Sequence, residues 1–177
     1  MNKSNFPRYP IYIPSKGRAE RCLTALLFEK EGIDFQLVVE PQEEHAYSSI
    51  FGKKRIIVLP FANLGSVIPA RNYIKKYAIE KGYIRHWQFD DNIRAIRRLY
   101  RGLRIPCDSG AAIAATEDFV DRYENVAIAG LNYQMFGIEA GLPPFYINVH
   151  VYSCSLILNS LPYQWRGRYN EDTDICL

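Results

Sequence analysis

The stretch Ile84-Arg85-His86-Trp87-Gln88-Phe89-Asp90-Asp91-Asn92 decides how this chain is read. Ile84 to Phe89 has the pattern of a strand, and it runs straight into two carboxylates and an amide. In open α/β sheets, ligands bind in the crevice beyond the C-terminal ends of the strands, and Asp90, Asp91 and Asn92 fall there. Adjacent carboxylates repel one another unless a cation or a donor lies between them. Mg²⁺ or Mn²⁺ bridging to phosphate oxygens would relieve that repulsion. An Asx-turn that caps a following helix fits the same residues, so both readings stand at this point.

Upstream of this stretch, strand and helix patterns alternate. Tyr9 to Pro14 is a short apolar run closed by Ser15-Lys16-Gly17. Ala19 to Glu31 has helical spacing, with Cys22, Leu23, Leu26 and Leu27 on one face and Gly32 placed as its C-cap. Phe35 to Val39 and Arg55 to Leu59 read as strands, with a polar helix from Gln42 to Ser49 between them. A helix from Ile68 to Lys81 ends at Gly82. Strands separated by helices of this size imply a mostly parallel sheet covered on both faces. Downstream, Asn92 to Gly102 and Gly110 to Tyr123 read as helices, and Val126 to Gly130 as a strand. Leu131 to Phe145 reads as a loop, and Tyr146 to Leu158 as a long antiparallel β run.

Composition sets the outer bounds. The chain has 177 residues, 48% hydrophobic and 23% charged, enough for one domain with a sizeable core. That balance excludes a disordered tail and a disulfide scaffold. No apolar run approaches the roughly 20 residues of a membrane helix, and no signal stretch follows Met1, so a cytoplasmic protein is expected. Cys22, Cys107, Cys154 and Cys176 are scattered with no C-x-x-C pair, which reads as buried thiols. Nothing in the pattern fixes the oligomeric state.

Net charge is only +3, but its distribution is uneven. At 100° per residue on a helix, Arg94, Arg97, Arg98, Arg101 and Arg104 fall within an arc of about 120°. Ile93, Ile96, Leu99, Tyr100 and Leu103 take the opposite arc. A solvated helix face normally mixes signs, so an Arg-only face points to a polyanion such as a nucleic acid.

Two further clusters bear on the same sheet edge. Pro14, Ser15, Lys16 and Arg18 close the first strand in a turn where backbone N–H groups and cations suit a phosphate. Without G-x-x-x-x-G-K-[ST] it is no P-loop, and an ordinary basic turn fits equally. Arg71 and Asn72 begin the helix before the Asp90 strand, where a guanidinium could pair with a diphosphate. His86 and His150 sit in strand-like runs and read as structural, and His45 on a polar helix is uninformative. The loop Asn132 to Phe136 could stack an extruded base or simply cover the sheet.

The ordered motifs YIPSKGR, LVVEPQE, VLPFANLGSVIPARN and HWQFDDNI, with RGRYNEDTDICL at the end, resemble the TET-associated glycosyltransferases of bacteriophages. These are GT-A-type enzymes that add sugars to hydroxymethylated pyrimidines in DNA. The resemblance implies a GT-A-like (Rossmann-like) α/β fold, with a mostly parallel mixed sheet flanked by helices in three α/β/α layers. It places Asp90, Asp91 and Asn92 at the metal-binding D-x-D element, with Asp90 also on the donor. It assigns the nucleotide-sugar donor to Pro14, Ser15, Lys16, Arg18, Glu40, Arg71 and Asn72. Glu171 and Asp172 match the acidic pair that supplies a general base. The implied cofactors are Mn²⁺ or Mg²⁺ and a UDP-sugar, and the implied acceptor is DNA carrying 5-hydroxymethylcytosine or a related base. Trp165 to Tyr169 precedes the acids and would approach donor or acceptor phosphates.

Asn170 to Asp174 has the form of a helix start, with Asn as the N-cap and acids in the first turn. Only three residues follow, so the expectation is a single domain over 1–177 that breaks off inside an element of a longer protein. Two other readings compete with a glycosyltransferase. A nucleotidyltransferase forming nucleotide sugars would need a Gly-rich loop that Pro14 to Gly17 lacks. A non-catalytic DNA-binding module would use the arginines and leave the acids as caps.

Overall fold

The computed structural model describes residues 7–62, 65–136, 141, 143–167 and 170–176. Seven of its strands and helices build the half of the fold that carries the expected alternation. β1 (Ile11–Pro14), α1 (Leu23–Glu31), β2 (Gln36–Val39) and α2 (Glu44–Phe51) lead to β3 (Ile56–Val58), α3 (Ile68–Glu80) and β4 (Arg85–Phe89). After β4 come β5 (Arg97–Tyr100), β6 (Leu103–Pro106), α4 (Ser109–Val120), β7 (Ile128–Gly130), β8 (Cys154–Leu158) and the short α5 (Glu171–Ile175). Gly32, at φ 69°, closes α1 in the left-handed conformation that a C-cap glycine supplies.

Six strands form one sheet in the order β3-β2-β1-β4-β8-β7, and β5 pairs with β6 apart from it. β1, β2, β3 and β4 are parallel, and β8 runs antiparallel to both β4 and β7. The chain winds outward from β1 to β3, then crosses back to place β4 on the other side of β1. That reversal is the topological switch point of a doubly wound sheet.

Strand alternation sorts the core into two layers. Ile11, Ile13, Leu37, Val39, Trp87 and Phe89 pack against Ala25 and Phe28 of α1, Tyr47 and Phe51 of α2, and Ile113 of α4. Tyr12 and Val38 point the other way, onto Ala70, Ile74 and Ala78 of α3. Ile68, Ile157 and Trp165 extend that second layer, with Ile175 of α5 against them. The result is the expected three-layer α/β/α arrangement. Glu117 of α4 is fully buried, but it accepts from the Trp87 indole at 2.8 Å and from the Arg8 amide at 2.7 Å. That satisfaction lets a carboxylate sit between helix and sheet.

The second half departs from expectation in two places. Only Cys154 to Leu158 of the run from Tyr146 forms a strand. Asn148 and Ser153 take positive φ of 55° and 59°, which turns the chain and breaks the extended pattern. Asn92 to Gly102 is not helical at all, as described below. No helix among the described residues is long and apolar enough to cross a membrane.

Candidate active site

The loops after β1 and β4 meet at the switch point. Pro14 ends β1 with its register on Val38, and the next amide, Ser15, donates to the Val38 carbonyl at 3.1 Å. Gly17 turns the loop at φ 66°, and its N–H donates to Glu43 at 2.6 Å. A chain of donors then runs toward the acids. The Arg18 amide donates to the Tyr47 hydroxyl at 3.0 Å, Tyr47 to Ser15 Oγ at 2.7 Å, and Ser15 to Asp91 Oδ2 at 2.6 Å. Ser15 spends its single proton on the carboxylate, so Tyr47 must be the donor in the middle link. Arg18 Nη1 closes the array on Asp91 Oδ1 at 2.6 Å.

Asp91 is thus buried with both oxygens taken. Its role in this arrangement is to hold the β1 loop, with a charge-assisted pair doing most of the holding. Lys16 lies 2.7 Å from buried Glu40, whose other oxygen accepts from Gln42. The backbone of the turn is fixed separately. Asp90 N donates to Ser153 O at 2.7 Å, and Thr24 of α1 donates to Asp90 O at 2.5 Å and receives the Ile93 amide at 2.9 Å. These bonds replace the expected helix cap, and Asn92 is left exposed in the turn.

Arg71, in the first turn of α3, is only 2% exposed. Its Nη2 lies 2.9 Å from Asp90 Oδ1 and 3.5 Å from Asp172 Oδ1, and its Nε lies 3.8 Å from Glu171 Oε1. Gln88 of β4 accepts from Nη1 at 3.4 Å and donates back to the Arg71 carbonyl at 3.0 Å. Three carboxylates from two parts of the chain, the β4 end and α5, therefore share one guanidinium. Burial pushes the Asp172 carboxyl above the usual range; Arg71 opposes that rise, while Asp90 and Glu171 add to it.

The same helix grips the chain that leads to the acids. Asn72 donates to Trp165 O and accepts from Trp165 N, both at 3.0 Å, so its amide imitates a neighbouring strand. Lys75, buried, donates to Leu161 O at 2.5 Å and to Tyr163 O. Arg166 makes a two-pronged bond to Asp174, at 2.8 and 3.0 Å, and folds the segment back on α5. Asn170 sits at the start of α5 in the left-handed conformation, and its carbonyl, not its side chain, accepts from Thr173 and Asp174. The expected side-chain N-cap is therefore absent. Arg168 and Tyr169 lie outside the described residues.

The Arg-only helix face is overturned. Arg97 to Tyr100 and Leu103 to Pro106 form an antiparallel hairpin, with Arg98 opposite Ile105 and Leu99 opposite Arg104. Arg101 and Gly102 form its two-residue turn, at φ 49° and 75°, a pair of positive values typical of a type I′ turn. Arg94 precedes the hairpin and is exposed. The helical phase of the arginines was a coincidence of spacing. In the hairpin the side chains alternate with period two, so Arg97 and Arg104 share one face while Arg98 lies on the other.

His86 is structural. It is fully buried, and burial drops its pKa to about 4. Gln88 donates to its Nε2 at 3.0 Å, so Nδ1 carries the proton and donates to Asn159 at 2.5 Å. Tyr133 of the 131–136 loop stacks on Tyr152 at 5.6 Å and bonds Ser153, the residue that also holds Asp90. Those contacts fasten the loop through Tyr133, while Met135 and Phe136 stay exposed. Burial raises the Cys22 and Cys154 thiols to about 11 and about 12, consistent with inert thiols. Thr24, Tyr47, Gln88 and Ser153 are the site residues that sequence reasoning missed. Each acts through tertiary contact, and no local motif marks them.

The protein-family description TET-Associated Glycosyltransferase matches residues 9–177, nearly the whole chain. No curated protein and no solved structure gives a significant match.

Proposed function

The chain belongs to the TET-associated glycosyltransferases, and from that premise we propose that it moves the sugar of a UDP-sugar to the hydroxymethyl oxygen of a 5-hydroxymethylpyrimidine in DNA. The observation that carries this reading is the convergence at the switch point. The β1 loop, the Asp90-Asp91 turn and the Glu171-Asp172 pair are tied together by ion pairs at the ends of parallel strands. In this reading Ser15 and Arg18, fixed by Asp91, meet the donor nucleotide, with half-exposed Lys16 beside them.

The acids supply the chemistry. Asp172 accepts the proton of the acceptor hydroxyl as that oxygen bonds the anomeric carbon and the bond from that carbon to the diphosphate breaks. Its raised pKa, caused by burial, makes it a better proton acceptor than an exposed aspartate. Arg71 keeps the carboxylate in place. Glu171 takes the second position of the pair.

The residues present fit a divalent cation only in part. Asp91 is committed on both oxygens to Ser15 and Arg18, so Asp90 is the freer ligand of the pair. Among the described residues no three His, Cys, Asp or Glu side chains are arranged to hold a metal alone. Asp90, Glu171 and Asp172 nevertheless set three carboxylates against one guanidinium, an imbalance that favours a cation. Asp90 would hold Mn²⁺ or Mg²⁺, with further ligands from donor phosphates and water. Bound there, the ion would supply stabilisation of the departing diphosphate.

The test is calorimetric titration of UDP, with and without Mn²⁺, into the protein and into Asp91→Asn. The variant strips the charge from the Arg18 and Ser15 array. The expected loss is about 1.5–3 kcal/mol, roughly 10–100-fold in affinity. Unchanged UDP affinity in Asp91→Asn would remove the β1 loop from the donor site.

A further inference from the structure

The β5–β6 hairpin has no place in the chemistry above, and its construction is costly unless something binds it. A two-stranded ribbon alone is marginal in water, and in this one β5 is exposed along its length and β6 at both ends. Between Asn92 and Asp108 the chain carries five arginines and no acid. Its turn puts Arg101 at φ 49°, where Asn, Asp or Gly would sit with less strain. Beside the turn, Tyr100 and Leu103 face each other across the strands and so share one side. They are 46% and 66% exposed, an apolar pair at the tip of a cationic ribbon. The Arg98 and Arg101 guanidiniums lie 5.4 and 5.2 Å from the Tyr100 ring centroid, ordering that ring before any partner arrives.

From this we infer that the hairpin is a duplex-opening wedge. Its arginines grip the DNA backbone, and Tyr100 with Leu103 enters the base stack to hold open the gap left by the target nucleotide. The occupant is double-stranded DNA, argued from three features. The charge is of one sign, a two-stranded ribbon fits a DNA groove, and apolar tips are the side chains that unstack base steps. Each strand of four residues spans about 13 Å, longer than the major groove is deep. The hairpin also leaves the chain five residues after the Asp90-Asp91-Asn92 turn, so the site and the wedge are joined by a short link. A base inside a duplex must leave the stack before an enzyme can reach it, and that opening carries a cost that single-stranded DNA does not demand. This inference rests on the DNA-acceptor reading, and the experiment separates the two.

The experiment has two readouts on one set of oligonucleotides. The hydroxymethylated site is presented in a duplex, in a single strand, and in a duplex mismatched at that site, with 2-aminopurine as its neighbour. Sugar transfer is measured with donor present, and 2-aminopurine fluorescence without donor. The protein is expected to raise fluorescence of the matched duplex. Tyr100→Ser with Leu103→Ser should abolish that rise and slow transfer to the matched duplex at least about tenfold. Single-strand transfer should stay unchanged, and the mismatch should restore most of the loss. Arg101→Asn, which suits the turn better, removes one cation and leaves Arg98 on the Tyr100 ring, so it should weaken binding to all three and lower the salt slope by about 1. The wedge is overturned if the tip variant still opens the duplex, or if it slows transfer to single and double strands alike. Duplex opening with no transfer to any DNA would sink the acceptor reading and leave the wedge standing.

Discussion

Arg71 shows how one buried residue sets the character of the site. A guanidinium at 2% exposure survives only because carboxylates surround it, and those carboxylates belong to both ends of the candidate machinery. As a first-turn cation facing the sheet edge, Arg71 is expected on the donor diphosphate. It is instead turned inward, onto Asp90, Glu171, Asp172 and Gln88. Arg71→Met is expected to cost about 2–3 kcal/mol in urea unfolding, since it leaves three half-buried carboxylates without their shared cation. His86 gives a pH prediction of its own. Its pKa falls from an ordinary 6.5 to about 4 on burial, so the unfolded chain binds the proton first. Stability is full above pH 6.5 and falls as pH drops toward 4, by about 3 kcal/mol. His86→Gln should flatten that part of the acid limb in unfolding curves measured from pH 7 to pH 4.

At the scale of elements, α3 does more than cover the sheet. Asn72 and Lys75 lie on successive turns and fix residues 161–165, from which the acidic segment departs. Asn72→Ala should therefore lower kcat several-fold while UDP affinity stays unchanged, and Asn72→Gln should not restore it, because the longer amide overshoots Trp165. A fall in UDP affinity equal to the fall in kcat would return Asn72 to the donor site. Gly130 is constrained in another way. A Cβ there would run into the Cys154 carbonyl and Val151, so Gly130→Ala should lower thermal stability by about 1–3 kcal/mol.

Elements with strong local signals were legible in the sequence. The strand from Arg85, the helix from Ile68 and the Gly32 cap all follow from periodicity and end signals. The hairpin was not, because four residues, a two-residue turn and four more happen to space arginines at helical intervals. Arg101-Gly102 lacks the Asn-Gly or Asp-Gly pair that marks such a turn. The acids of the site could be read because they stand at a strand end and a helix start. Their partners could not, since Thr24, Tyr47 and Ser153 arrive from elsewhere in the chain.

For the whole molecule, the sheet order explains why the site lies where it does. Crossing back from β3 to β4 sets the β1 and β4 ends side by side, and Ser15, Arg18, Arg71 and the acids Asp90, Asp91, Glu171 and Asp172 are linked there. The basic hairpin leaves the same edge. Donor, base and DNA would thus meet on one side of a rigid sheet. The most direct test is to incubate the protein with Mn²⁺, 5-hydroxymethylcytosine or 5-hydroxymethyluracil DNA and a panel of nucleotide sugars, then weigh the digested nucleosides. The predicted result is a nucleoside heavier by one sugar residue, dependent on one donor and lost in Asp172→Asn by about 10²–10⁴-fold in rate. Unshifted nucleosides with every donor on both DNAs would contradict the account.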